Sequence, residues 1–146
     1  MNKSINTAIF LILAVMLSVP ANAAEDFIVA GKGVRSRDLI QGTGDRAAIG
    51  DVATIHFTSW VDDRGRQGRE IYATRGQRAP VSFVIGTDRV MQGWNEGVTG
   101  MQAGGRRLVM VPAAAAFGAR GVQNIVPPNT GLIFVIELLA LEKRPD

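Results

Sequence analysis

The chain has 146 residues, enough for one domain with a small appendage, and its 47% apolar and 20% charged content is that of a globular protein. The formal charge of +3 is small, and the basic residues are interleaved with acids, so no single-sign patch argues for nucleic acid. There is no cysteine and one histidine, His56, which excludes disulfides, zinc thiolate sites and thiol nucleophiles and argues against a histidine-based metal centre or triad.

Residues 1–23 read as a secretory signal peptide. Lys3 supplies a positive start, Ala8–Val19 is an apolar run of twelve residues, and Ala21-Asn22-Ala23 is a small-polar-small cleavage site. The run is shorter than the roughly 20 residues of a membrane span. The mature chain is expected to be Ala24–Asp146, with its charge reduced from +3 to +2 by loss of Lys3. It is expected to be exported, soluble and free of the membrane after cleavage, in the periplasm if the cell is Gram-negative. No lipid anchor is expected, because no Cys follows the cut.

Glu25–Asp38 has weak periodicity and reads as an extension or a first edge strand, so the organisation is a 24–38 extension followed by a 39–146 domain. Gln41–Asp45 is a turn whose G-x-G lacks the further glycine of a dinucleotide fingerprint. Val52–Val61 alternates as a half-buried strand, with Ala53, Ile55, Phe57 and Val61 on one face and Thr54, His56 and Thr58 on the other. Asp62–Gly76 is polar, rich in Arg and contains Gly, and reads as a hairpin loop or bulged excursion in which Ile71 and Tyr72 are the apolar pair. Its arginines read as a solvated surface, with a docking role for acidic partners as the lesser alternative because Asp62, Asp63 and Glu70 dilute the charge. After Pro80, Val81–Ile85 alternates again as a strand.

The chain is organised around Gly86–Met101. Thr87 or Asp88 can cap a helix, and Gly100 can end it in a left-handed conformation. Val90, Met91, Trp94, Val98 and Met101 recur at spacings of three and four, so they share one face. So short a helix must lie on something. Arg106–Val111 is a strand closed by Pro112, Ala113–Ala116 with Phe117-Gly118 is a small-residue crossing, and Gly121–Asn129 is a loop holding Val126-Pro127-Pro128. Leu132–Leu141 is apolar on both faces except at Glu137, as a central strand would be. Four to six strands and one short helix make an antiparallel α+β domain, with one twisted sheet packed on one helix.

The runs V-M-Q-G-W-N-E-G-V, G-G-R-R-L-V-M-V-P, A-F-G, I-V-P-P-N-T and L-I-F-V-I-E-L-L, in that order, resemble the FKBP family of peptidyl-prolyl cis–trans isomerases over about Leu39–Leu141. The resemblance implies a half-wrapped antiparallel sheet around a short helix. It also implies an apolar pocket with Trp94 as its floor. Val90 and Met91 match the two apolar residues before that Trp, the second of which commonly offers a backbone N–H to a ligand carbonyl. Val81, Phe134 and Val126 match apolar wall positions. Phe57 stands where the family usually has Tyr. Phe117 stands where it has a Tyr whose hydroxyl binds the substrate carbonyl. Ile71 falls on a Phe position and Tyr72 on an Asp position. The implied substrates are proline-containing unfolded or exported polypeptides, with macrolides as inhibitors and no cofactor or metal.

Such a pocket needs no nucleophile. Rotation about X–Pro must cross about 18–20 kcal/mol because amide resonance is lost. The twisted amide is less polar than the planar one, so a dry aromatic cavity binds it better, and only such differential binding accelerates a step. The changes at Phe117, Ile71 and Tyr72 imply a slower isomerase or a shifted preference. An alternative is a non-catalytic peptide-binding module or chaperone using the same groove. A weaker one is a dimer face made of Ile133, Val135 or Trp60, against the expectation that the chain covers its own central strand and is a monomer.

Overall fold

A computed structural model describes residues 27–76 and 79–145, so the signal-peptide reading falls outside the described residues. Its axis is β4 (Val52–Asp63), whose alternation sends Ala53, Ile55 and Ser59 into the interior. One edge of β4 pairs along its length with β9 (Leu132–Glu142). The other edge is shared. β6 (Val81–Val84) pairs with Val52–Ile55, and β5 (Arg66–Ala73) pairs with Thr58–Asp63. Beyond β9 lie β8 (Arg106–Val111), β2 (Arg35–Ile40) and β1 (Ile28–Val29), all antiparallel to their neighbours. β3 (Thr43–Arg46) and β7 (Gln102–Ala103) form a separate small pair.

The α+β expectation and the central place of β9 hold. Leu132, Phe134, Ile136 and Leu138 are buried on its inner face. Each such side chain contributes about 1.5–3 kcal/mol through burial. Ile133, on the outer face, is also buried, which removes it from any dimer face.

Two boundaries move. Of the 24–38 segment, the described residues Ile28–Val29 and 35–38 lie in the sheet, in keeping with the edge-strand alternative, because β2 pairs with β8 from Arg35↔Met110 to Ile40↔Arg106. Its periodicity is weak because the buried position is held by polar Ser36, while Asp38, partly exposed on the same strand, pairs with the buried Arg107 guanidinium instead of apolar groups. The segment Asp62–Gly76 is largely strand. Arg64 and Gly65, both with positive φ (53° and 82°), make the two-residue hairpin turn whose hand suits twisted strands. Asp62 Oδ1 accepts the Gly65 N–H at 2.6 Å.

The helix, α1 (Gln92–Val98), is shorter than Gly86–Met101 suggests. Thr87 does not cap it, because its hydroxyl donates to Val84 O. Met91 is the N-cap, without a side-chain bond. Gly100 is left-handed as expected, with φ 85°. Residues before the helix are tied down by buried Asn95, whose Oδ1 accepts from Gly86 N–H (2.8 Å) and whose Nδ2 donates to Thr87 O (2.7 Å).

The helix lies unusually close to β8. A Cβ on Gly93 would sit 2.4 Å from Val111 Cγ1, and one on Gly97 would sit 2.7 Å from Val109 Cγ1. The two glycines stand four apart, so they form one bare stripe that seats the helix on the valines. At its far end, buried Arg107 on β8 donates to Gly97 O and Thr99 O (both 2.9 Å) and to Asp38 Oδ1 (2.6 Å). One guanidinium thereby satisfies helix-terminal carbonyls and joins α1, β8 and β2.

Candidate functional site

Seating α1 on β8 aims Trp94 at the inner face of β4 and β9. Its indole meets Phe57 edge-on (centroids 4.8 Å, 66°) and Phe134 edge-on (6.0 Å, 82°). Phe83 of β6 supports it at 5.5 Å. Edge-to-face pairs of this kind add about 0.5–1.5 kcal/mol beyond burial. The indole N–H is buried and has no acceptor among the described residues, so rings alone hold the floor.

Above the indole is a cavity of 480 Å³. Nine of the ten residues expected at the site line it: Phe57, Ile71, Tyr72, Val90, Met91, Trp94, Phe117, Val126 and Phe134. Val81 does not. It sits opposite Ile55 on β4, and the ring that reaches Trp94 from β6 is Phe83, two residues on. Sequence reasoning missed Ser59, Arg89, Val122, Ile125 and Leu132 in the lining. Ser59 and Leu132 were detectable, since they continue the inward alternation of Phe57 and Phe134. Arg89, Val122 and Ile125 lie in irregular segments without a period to follow.

Ile71 and Tyr72 are neighbours on a strand, so alternation should point them apart. Both nevertheless line the cavity. The register explains it. Ser59 pairs with Tyr72 but Trp60 pairs with Glu70, so Ile71 is the extra residue of a β-bulge. Tyr72 stacks on Phe57 at 5.6 Å and 24°. Phe57 is held from behind by Thr74, whose buried hydroxyl accepts the Phe57 N–H at 2.9 Å. His56 faces the other way, with Nδ1 2.9 Å from Thr74 Oγ1, as its outward position implied.

Two further features complete the cavity. The Met91 N–H donates to no group among the described residues, while the Met91 carbonyl accepts from Trp94 N–H at 3.0 Å. A donor without a partner among the described residues is thus left next to the helix that carries the indole. The late loop is fixed by its own backbone: Val122 and Val126 exchange N–H···O bonds of 2.8 Å, and Asn129 N–H reaches Gly118 O at 2.8 Å. Phe117 and Ile125 stand at the mouth, 38% and 48% exposed. Among the described residues, the only charged one in the lining is Arg89. A donor, an aromatic floor and mostly apolar walls can hold an apolar ring and an adjacent carbonyl. The hydroxyls in the lining are those of Ser59 and Tyr72, and no His, Asp or Glu among the described residues lines the cavity to act on them as a base.

Residues 44–139 match the family described as FKBP-type peptidyl-prolyl cis-trans isomerase. The chain belongs to that family. It is 36% identical over 102 residues to an FK506-binding protein of Neisseria meningitidis serogroup A, covering 70% of this chain and 90% of the relative. It is 30% identical over 131 residues to the Saccharomyces cerevisiae peptidyl-prolyl cis-trans isomerase FPR2, covering 90% and 93%. Among solved structures it resembles FkpA from Escherichia coli, with TM-score 0.70, 26% identity, and coverage of 83% of this chain and 54% of that one. This FKBP-type protein is a peptidyl-prolyl cis–trans isomerase.

Proposed function

We propose that this isomerase accelerates X–Pro rotation in exported polypeptides by holding the twisted amide in the cavity over Trp94. The observation that carries the reading is the 480 Å³ cavity itself, walled by Trp94, Phe57, Phe134 and Phe117, with Arg89 the one charged residue in its lining among those described. The planar amide is dipolar and loses solvation there. The twisted amide, its nitrogen and carbonyl uncoupled, loses less, so the barrier falls. The Met91 N–H faces the place where a substrate carbonyl would be held, which orients the chain while the prolyl ring packs on the indole.

Export is the role assigned to Met1–Ala23, with Ala24 as the mature start and the periplasm or exterior as the destination. Exported chains fold away from the cytosolic isomerases, and an uncatalysed X–Pro step takes tens of seconds. The exposed Phe117 and Ile125 at the mouth favour a second use of the same groove, as a chaperone that holds unfolded segments.

The test is the cis-to-trans rate of short X–Pro peptides with Ala24–Asp146, beside Trp94→Phe and Trp94→Ala. The Ala variant removes a large ring at a cost of about 3–5 kcal/mol, so its folding is checked by circular dichroism. The expected result is acceleration that falls in a folded Trp94 variant. Undiminished catalysis in both variants would remove the cavity from the mechanism. Retention of the intact signal segment on a cytosolic protein would remove the export reading.

A further inference from the structure

A second cavity, of 540 Å³, opens beside the aromatic one, and the two share Val122, Ile125 and Val126 as a common wall. Its character is different. Its lining includes Arg69 from β5 and Arg120 from the loop before Gly121, and no acidic residue among those described. Arg89 adds a third cation on the far side of the shared wall, where again no acid lines the cavity. Among the described residues none of the three forms an ion pair, whereas Arg75, Arg106 and Arg107 all do. The neighbouring acids Asp88 and Glu70 line neither cavity.

The position of this charge is fixed. Arg69 Nη2 donates to Ile125 O at 2.8 Å, which pins its guanidinium against the shared wall. That bond uses one of five N–H donors and leaves the others for a ligand. The loop opposite is rigid, because Val122 and Val126 bond each other in both directions and Gly121 N–H reaches Phe117 O at 3.0 Å. A segment running from a proline over Trp94 across the shared Ile125 and Val126 would meet Arg69 and Arg120.

We propose that this recess is a subsite for a carboxylate side chain flanking the proline, so that the preferred substrates are X–Pro segments with Asp or Glu beside the X–Pro pair. The inference rests on the reading of the aromatic cavity as the proline site. It gives the family's apolar pocket a charge preference in this chain. A lysine at the same peptide position is repelled by Arg69 and Arg120 and is selected against.

The test uses four-residue peptides in two matched series, with Glu, Gln or Lys immediately before or immediately after the X–Pro pair. Rates and affinities are measured at low salt and in about 0.5 M salt, where screening acts within a few ångström. Partly exposed charge pairs predict a Glu-to-Gln ratio in kcat/KM of about three- to ten-fold in at least one series, with Lys below Gln. The ratio contracts towards one in high salt and in the Arg69→Gln/Arg120→Gln variant, where glutamine keeps a donor for Ile125 O. Equal rates for Glu and Gln in both series, or a ratio untouched by salt, would overturn the subsite. If the double variant does not fold, the salt dependence of the wild type decides. Affinity, read by Trp94 fluorescence, shows the same ratio where turnover is slow. Loss of binding of every peptide would count against the aromatic cavity, and equal binding of Glu and Gln against the basic recess.

Discussion

Replacing Gly93 by Ala tests how the pocket floor is held. An added Cβ meets Val111 Cγ1 at 2.4 Å, Cγ2 at 2.7 Å and Cβ at 3.2 Å. Rotating Val111 cannot clear both methyls, so α1 must lift by about 1 Å to approach the 3.4 Å at which ordinary contact begins. Overpacking of this kind costs about 1–3 kcal/mol. Against it, alanine improves helix propensity by about 1 kcal/mol. The expected net loss is up to about 2 kcal/mol by urea unfolding, with a lower kcat/KM because Trp94, the next residue, rises with the helix. Val111→Ala removes both obstructing methyls. In the double variant the losses should be less than additive by about 1 kcal/mol or more, which identifies the contact. A Gly93→Ala protein as stable as wild type, with normal kcat/KM, would refute the reasoning, since propensity would then outweigh packing and the helix would not rest on Val111.

Other outcomes follow from single contacts. Phe117→Tyr places a hydroxyl at the cavity mouth and should raise kcat/KM several-fold, since a hydrogen bond strengthened in the transition state is worth about 1 kcal/mol; an unchanged rate across the peptide series would show that no carbonyl reaches it. Arg107→Met leaves the carbonyls of Gly97 and Thr99 and the Asp38 carboxylate without this partner, and should cost about 2–4 kcal/mol in urea unfolding. Asp51 is held below its ordinary value of 3.8, first by the hydrogen bond from Lys143 and then by that from the Ala48 N–H. Its contribution to stability is therefore complete above pH 3.8 and is lost as pH falls through the lower folded value. Urea midpoints below pH 4 should fall more steeply for wild type than for Asp51→Asn, and parallel curves would contradict this.

Much of the molecule was legible in the chain itself. β4 could be read from its alternation, broken at Trp60, β8 from its bounds at Gly104-Gly105 and Pro112, and β9 from a run apolar on both faces. Trp94 could be placed because its spacing to Val90, Met91 and Val98 marks one helix face. The family motifs then located nine of the ten expected cavity residues. The helix start was misplaced because Thr87 can cap a helix as well as bond Val84 O, and composition does not choose between them. Val81 lies outside the cavity lining and Phe83 reaches Trp94, a choice alternation cannot make because it renders the two positions equivalent.

The amino-acid sequence by itself determined the pairing-competent strands, the short Trp-bearing helix and the apolar character of the site, since these depend on side chains a few positions apart. The tertiary structure alone decided three things. The bulge at Ile71 turns both Ile71 and Tyr72 into one cavity, because an extra residue in a ladder breaks the alternation that sequence reading relies on. Arg107 joins β2 to the helix end through atoms far apart in the chain, a bond with no local pattern. Arg69 and Arg120, separated by fifty residues of strand, helix and loop, meet at one recess only because the sheet curls around the helix. Periodicity records which face a residue occupies, whereas convergence of distant groups is set by how the faces are folded together.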